Sequence, residues 1–221
     1  MRRALLTTSV LSGLILWANS ATAQVCSGQL SFGLVPLRAI VGIGLTSSSQ
    51  TYQLGVRLGG RHVFGEADLG LASIDNAGSG LAYGAGFGAQ LGGHDARVQL
   101  CPELFVGFTR GPNDIAGTGI DYGERHVAIG ADAGAVLMRK KSTQIVATAS
   151  YLVVHTRYTF TSFSADSSLR DSWSLLALGL GFAFNDRVTL VPSIAFPFGV
   201  DGGGGGTLYG FGIAMKLGGE H

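Results

Sequence analysis

The stretch Gly80-Leu81-Ala82-Tyr83-Gly84-Ala85-Gly86-Phe87-Gly88-Ala89-Gln90-Leu91 decides how this chain folds. Leu81, Tyr83, Ala85, Phe87, Ala89 and Leu91 alternate with Ala82, Gly84, Gly86, Gly88 and Gln90. Successive side chains of a β-strand point to opposite faces, so this segment has one apolar face and one small or polar face. A helix would scatter the same residues around its circumference. The next segment repeats the scheme, with Val98, Leu100, Pro102, Leu104, Val106 and Phe108 interleaved with Arg97, Gln99, Cys101, Glu103, Phe105 and Gly107.

Working outward, the same period recurs on both sides. A first strand near Leu37 to Leu45 places Ala39, Val41, Ile43 and Leu45 on its apolar face, and a second near Tyr52 to Gly60 sets Leu54, Val56 and Leu58 against Gln53, Gly55 and Arg57. A third sets Val63, Ala67, Leu69 and Leu71 against Glu66, Asp68 and Gly70. Beyond the two quoted segments, strands are expected over Val127 to Met138, Thr143 to Tyr158, Leu176 to Phe184, Val188 to Phe196 and Tyr209 to Leu217. The seventh is the weakest, because Leu152 and Val154 blur its alternation. Ten strands of this size suit the ~9–11 residues that a tilted strand needs to cross a hydrocarbon layer. An eight-stranded count stays open if the first or seventh strand is misread.

The composition excludes ordinary alternatives. The chain has 36 glycines among 221 residues, 13% charged residues and 46% hydrophobic ones, against roughly 7% glycine and 25% charge in a typical soluble domain. Past residue 23 no apolar run is long enough for a membrane helix. Arg2 and Arg3, the apolar run Ala4 to Trp17, and Ala21-Thr22-Ala23 read as a secretory signal peptide over residues 1–23. Without it the chain carries 13 basic and 14 acidic residues, which leaves no basic footprint for nucleic acid. The expected organisation is therefore a signal peptide over 1–23, a periplasmic or plug segment over 24–36 and a barrel over 37–221.

The links alternate in length. Gly59–Arg61, Gly92–Ala96, Arg139–Ser142 and Asn185–Arg187 are tight, whereas Gly111–His126, Thr161–Ser172 and Gly199–Gly206 are longer. Short periplasmic turns and longer outer loops are the asymmetry of bacterial barrels. Tyr52, Tyr83, Phe108, Phe196, Phe198, Tyr209 and Phe211 fall on the apolar face near the longer loops, where an interfacial girdle sits. With a signal peptide, amphipathic strands throughout and an aromatic closing strand, the chain resembles the small outer-membrane barrels of the OmpA, OmpX and OmpW kind. That resemblance implies a closed antiparallel up-and-down transmembrane β-barrel, with outer-membrane lipid and the insertion machinery as its partners. The ending Leu217-Gly218-Gly219-Glu220-His221 departs from the terminal aromatic usual in such proteins.

The polar face supplies the candidate site. Arg57, Glu66, Asp68, Gln90, Gln99, Glu103, Asp132 and Lys216 all fall on the inward face. They form either a side-chain plug or a selectivity lining, and the interiors of small barrels are generally filled. Cys26 and Cys101 are the only cysteines, and in an oxidising compartment a disulfide is the default. Cys101 shares its face with Gln99 and Glu103, ~13 Å along the strand from Arg97 at the periplasmic mouth. Residues between Cys26 and the first strand can span ~35–40 Å. A bridge would draw Val25–Leu34 into the barrel as a plug.

No enzymatic motif emerges. His62, Glu66 and Asp68 share a face, but no nucleophile stands beside them. Gly84-x-Gly86-x-Gly88 lies within a strand, and Gly202–Gly206 reads as a loop, so neither cradles a phosphate. Asp114, Asp121 and Glu124 lack the spacing of a calcium loop and read as solvated surface. His155, beside Arg157, is placed among lipid headgroups. The expected function is non-enzymatic, without cofactor or metal: a structural or surface-interaction barrel with an extracellular ligand for its loops. The alternative is a narrow porin-like channel for small solutes.

Overall fold

The computed structural model describes residues 26, 36–60, 62–74, 78–92, 98–162, 166–199 and 206–218. The expected signal peptide and the segment from Val25 to Leu34 lie outside them, except for Cys26. Ten strands follow in order: β1 (Leu37–Leu45), β2 (Ser49–Gly59), β3 (Val63–Ile74), β4 (Gly78–Ala89), β5 (Val98–Arg110), β6 (Asp121–Lys140), β7 (Thr143–Thr161), β8 (Asp166–Phe184), β9 (Val188–Phe198) and β10 (Leu208–Lys216). Each pairs antiparallel with its sequence neighbours, and β1 closes on β10. The count is ten, so the eight-stranded alternative falls.

The seam runs from Arg38 opposite Lys216 to Leu45 opposite Tyr209. It is built like every other ladder, because alternation in β1 and β10 matches in register: Val41 meets Ile213 outside and Gly42 meets Gly212 inside. The outer face is apolar in consequence. Leu54, Leu58, Leu69, Phe87, Val98, Ile129 and Leu178 are among the many large apolar side chains exposed there. Soluble monomers rarely show so continuous an apolar surface, and the exterior of a lipid-embedded barrel consists of one. Tyr52, Tyr83, Tyr209, Phe198 and Phe211 stand exposed toward the end opposite the termini, and Tyr83 stacks on Phe108 with ring centroids 5.4 Å apart.

Glycine on the inward face of β4 is explained by its neighbours. A Cβ on Gly84 would strike the Phe105 ring, and one on Gly88 would strike the Phe64 ring. The two rings come from the flanking strands and lie across β4 inside the lumen. Glycine is the residue that admits so close an approach.

Two expectations about the loops need correction. The link expected over Gly111–His126 is shorter, because β6 already begins at Asp121, and a 3-10 turn at Ile115–Gly117 occupies the remainder. The link expected over Thr161–Ser172 is mostly strand, since β7 runs to Thr161 and β8 starts at Asp166. β6, β7 and β8 hold 20, 19 and 19 residues, whereas the other strands hold 9 to 13. At ~3.3 Å per residue, the excess extends one side of the wall by roughly 20–30 Å along the strands. The lipid-facing alternation fails there because the outward positions turn polar (Asp121, Arg125, Arg157, Arg170), while Tyr122, Tyr158, Phe160 and Trp173 are half-buried on the inward face.

Candidate functional site: the charged lumen and its disulfide stopper

The lumen is polarised across its width. Lys216, Arg38, Arg57 and Glu66 follow one another in a single hydrogen-bonded row across β10, β1, β2 and β3. Three cations are thus adjacent on one wall, ending at an acid. Arg57 Nε lies 2.6 Å from Glu66 Oε2, with both side chains mostly covered. The Nε–H is not aligned into a hydrogen bond, so the contact is a charge pair held by position. Opposite stand Glu103 on β5 and Asp132 on β6, which share a cavity of about 250 Å³ with Arg57 and Glu66. Asp68 joins Glu66 and Arg57 around a second cavity of about 160 Å³, under Phe105. A third, of about 360 Å³, opens between Arg57, Gln53, Thr51 and Ser193. Arg57 borders all three.

The inward charges therefore form a basic stretch on β10, β1 and β2 (Lys216, Arg38, Arg57) that adjoins the acids of β3 (Glu66, Asp68) and faces those of β5 and β6 (Glu103, Asp132). Buried charge persists where opposite charge and hydrogen bonds compensate it. Gln90 and Gln99 sit lower, at 2% and 1% exposure, and Gln90 Nε2 donates to the Gly60 carbonyl at 2.8 Å. Arg38 was not among the residues read as lining from the sequence, although it is only 3% exposed. Its position on the inward face of β1 was the available signal. Gln53, Thr148 and Ser193 line the cavities as well, and their small or uncharged side chains gave no prominent mark.

Cys26 is bonded to Cys101 within this lumen. Both are almost wholly buried and pack with Phe64, whose ring lies over Gly88. Since Cys101 points inward from β5, the chain at Cys26 stands inside the wall at the end that carries the termini.

A second polar group lies near the opposite mouth, inside the extended wall. The Tyr122 hydroxyl donates to Glu124 Oε2 at 2.7 Å, and His126 Nδ1 lies 3.3 Å from Glu124 Oε1. Burial by itself would push the Glu124 carboxyl up, but the hydrogen bonds from His126 and Tyr122 together outweigh it and hold the group below its ordinary value. Burial pushes the Tyr122 phenol up, and the adjacent Glu124 charge adds to this. The His126 ring stacks on Phe105 with centroids 5.9 Å apart. Glu124, expected as solvated surface, is thus part of an inward brace. Asp114 and Asp121 act in the turn: Asp121 Oδ1 accepts from the Asp114 amide at 3.0 Å, and Asp114 Oδ1 accepts from the Gly119 amide at 2.6 Å. Among the described residues no three His, Cys, Asp or Glu side chains gather as a metal site.

A closed ten-stranded barrel with an apolar exterior and a charged interior has the architecture of a small outer-membrane β-barrel. No protein-family model matches the chain, and no curated protein matches it. Among solved structures it is similar to Ail, the attachment invasion locus protein of Yersinia pestis, at 10% identity and a TM-score of 0.41, over 81% of this chain and 96% of that one. The N-terminal β-barrel domain of Pseudomonas aeruginosa OprF matches at 9% identity and TM-score 0.39, over 81% and 95%. Neisserial surface protein A matches at 12% and 0.38, over 82% and 94%. At such identities and scores the likeness is one of general barrel shape and goes no further.

Proposed function

We propose that the chain is a non-enzymatic barrel of a bacterial outer membrane, whose working surface is the extended wall of β6, β7 and β8. The observation that carries this reading is the excess length of those three strands beyond the apolar belt. β8 pairs with β9 only from Ser174 opposite Phe198 downward. Among the described residues, Asp166–Trp173 has a strand partner on its β7 side alone. An edge of this kind can accept an added strand from another protein, with main-chain hydrogen bonds supplying affinity. The Tyr122–Glu124–His126 group supports the wall from within, which accounts for these residues without catalysis.

A second reading is favoured by the cavities around Arg57. Opposed basic and acidic walls could select small ions in a narrow channel, with the disulfide stopper as its obstruction. Single-channel recording in a planar bilayer separates the two. The surface reading expects no ion-selective steps from the oxidised or the reduced protein, and discrete ion-selective steps from either form would overturn it.

A further inference from the structure

We infer that the outer face of β5–β8 carries a binding site for the phosphorylated headgroups of the surrounding outer-leaflet lipid, centred on Arg125, Arg157 and Arg170. This rests on the membrane reading above. The three arginines are directly opposite one another in register, Arg125 with Arg157 and Arg157 with Arg170. All three are exposed and share the outward parity of Ile129, Tyr151 and Leu178. Like charges directly opposite on neighbouring strands repel and destabilise a sheet. An external anion placed between them removes that cost.

The row also lies beyond the apolar belt. It continues through Phe108, opposite Arg125, to Tyr83, opposite Phe108, and because barrel strands tilt it climbs from that stacked aromatic pair to the arginines, away from the termini. Toward the termini the outward positions on β6 become Val127 and Ile129, which face hydrocarbon. Away from them stand Gly123, Thr159 and Ser168, opposite Arg110 on β5. These small residues leave room between Arg110 and the arginine row, and Ser168 Oγ already accepts from Arg157 Nη2 at 3.4 Å. The outward acids, Asp121 and Asp166, stand four positions further along their strands, ~13 Å away. Among the described residues none of the four arginines makes an ion pair. His155 sits one outward position below Arg157, bonded to Ser172 at 2.7 Å. Guanidinium groups fit phosphate oxygens in paired hydrogen bonds, and only lipid presents phosphates in a plane at this level.

The test is titration of the detergent-solubilised full chain with diphosphoryl lipid A, with dephosphorylated lipid A and inorganic phosphate as parallel arms. The expected result is tighter binding of the diphosphoryl form, weakened about a hundredfold in the triple variant R125Q/R157Q/R170Q, from ~1 kcal/mol per arginine. Equal binding of the two lipids, or undiminished binding by the triple variant, overturns the site. Competition by inorganic phosphate at matched concentration overturns the lipid as its occupant. If the triple variant does not give the unboiled gel mobility of a folded barrel, R157Q alone is measured, with a loss of about fivefold expected. Insertion into phosphatidylcholine vesicles separates the two readings. Failure to insert sinks the membrane barrel, whereas insertion without discrimination of phosphate sinks only the arginine site.

Discussion

Cys26 and Cys101, 75 positions apart in the chain, are joined by a disulfide inside the barrel, with Cα atoms 5.7 Å apart. The bond ties the chain ahead of β1 to the inner surface of β5 and seats it against Phe64. Closing so long a loop removes much of the freedom of the unfolded chain. Changing both cysteines to serine is expected to lower stability by about 2–4 kcal/mol, read as a lower urea midpoint for loss of the folded gel mobility. The same variant, or the reduced protein, is expected to show more conductance than the oxidised one. An unchanged urea midpoint together with unchanged conductance would remove the stopper from the account.

Arg57 and Glu66 are neighbours across the β2–β3 ladder and lie mostly out of water. Glu66→Gln leaves Arg57 beside the other two cations of its row, Arg38 and Lys216. A loss of about 2–3 kcal/mol is expected, with Arg57→Gln in the same background restoring part of it. A double-mutant cycle measured in urea checks the coupling, and additive losses would contradict it.

The Glu124 carboxyl is held below its ordinary value, so it binds fewer protons in the folded wall than in the unfolded chain. Its contribution is therefore present above the ordinary carboxylate value and is lost as pH falls through the lower folded value. Glu124→Gln should cost about 1 kcal/mol at neutral pH and much less in strong acid. The check is unfolding of wild type and variant across the acid range. Identical slopes of stability against pH would show that Glu124 contributes nothing to the wall.

Gly84 and Ala85 are adjacent in sequence and opposite in role. Gly84→Leu must displace the Phe105 ring, at an expected cost of about 1–3 kcal/mol or failure to fold. Ala85→Leu adds a side chain to the exposed outer face and should be nearly neutral in a lipid or detergent environment. Comparing the folded fractions of the two variants by unboiled gel mobility tests both the inward packing and the outward exposure of β4.

The transmembrane half of each strand was legible because lipid outside and packed residues inside impose opposite demands on alternate positions. Leu81 to Leu91 shows this most cleanly. Cys101 was readable for the same reason, since it lies between Gln99 and Glu103 on the inward face. The upper parts of β6, β7 and β8 were not legible. Asp121, Asp166 and Ser168 are exposed on the outward face and Glu124 is polar on the inward one, so no apolar outward face marks this stretch as strand. The Tyr122–Glu124–His126 brace is hidden with them, because it lies in the same polar stretch. β7 blurred for a different reason: Leu152 and Val154 point inward, where Leu152 borders the cavity shared by Arg57 and Asp132 and Val154 is buried. Filling a lumen with apolar side chains erases the contrast between the faces. The arginine row was visible only in part, because register between strands is a property of the folded sheet.

The pairing of Arg38 with Lys216, and of the positions that follow, leaves the sheet without a free margin between its rims. A strand in an open sheet can peel from the margin by breaking one ladder, but here each strand is flanked on both sides. Detaching any one of them breaks two ladders together and strands its peptide groups in hydrocarbon. Partial loosening is confined to the rims, and between them the barrel is either whole or lost.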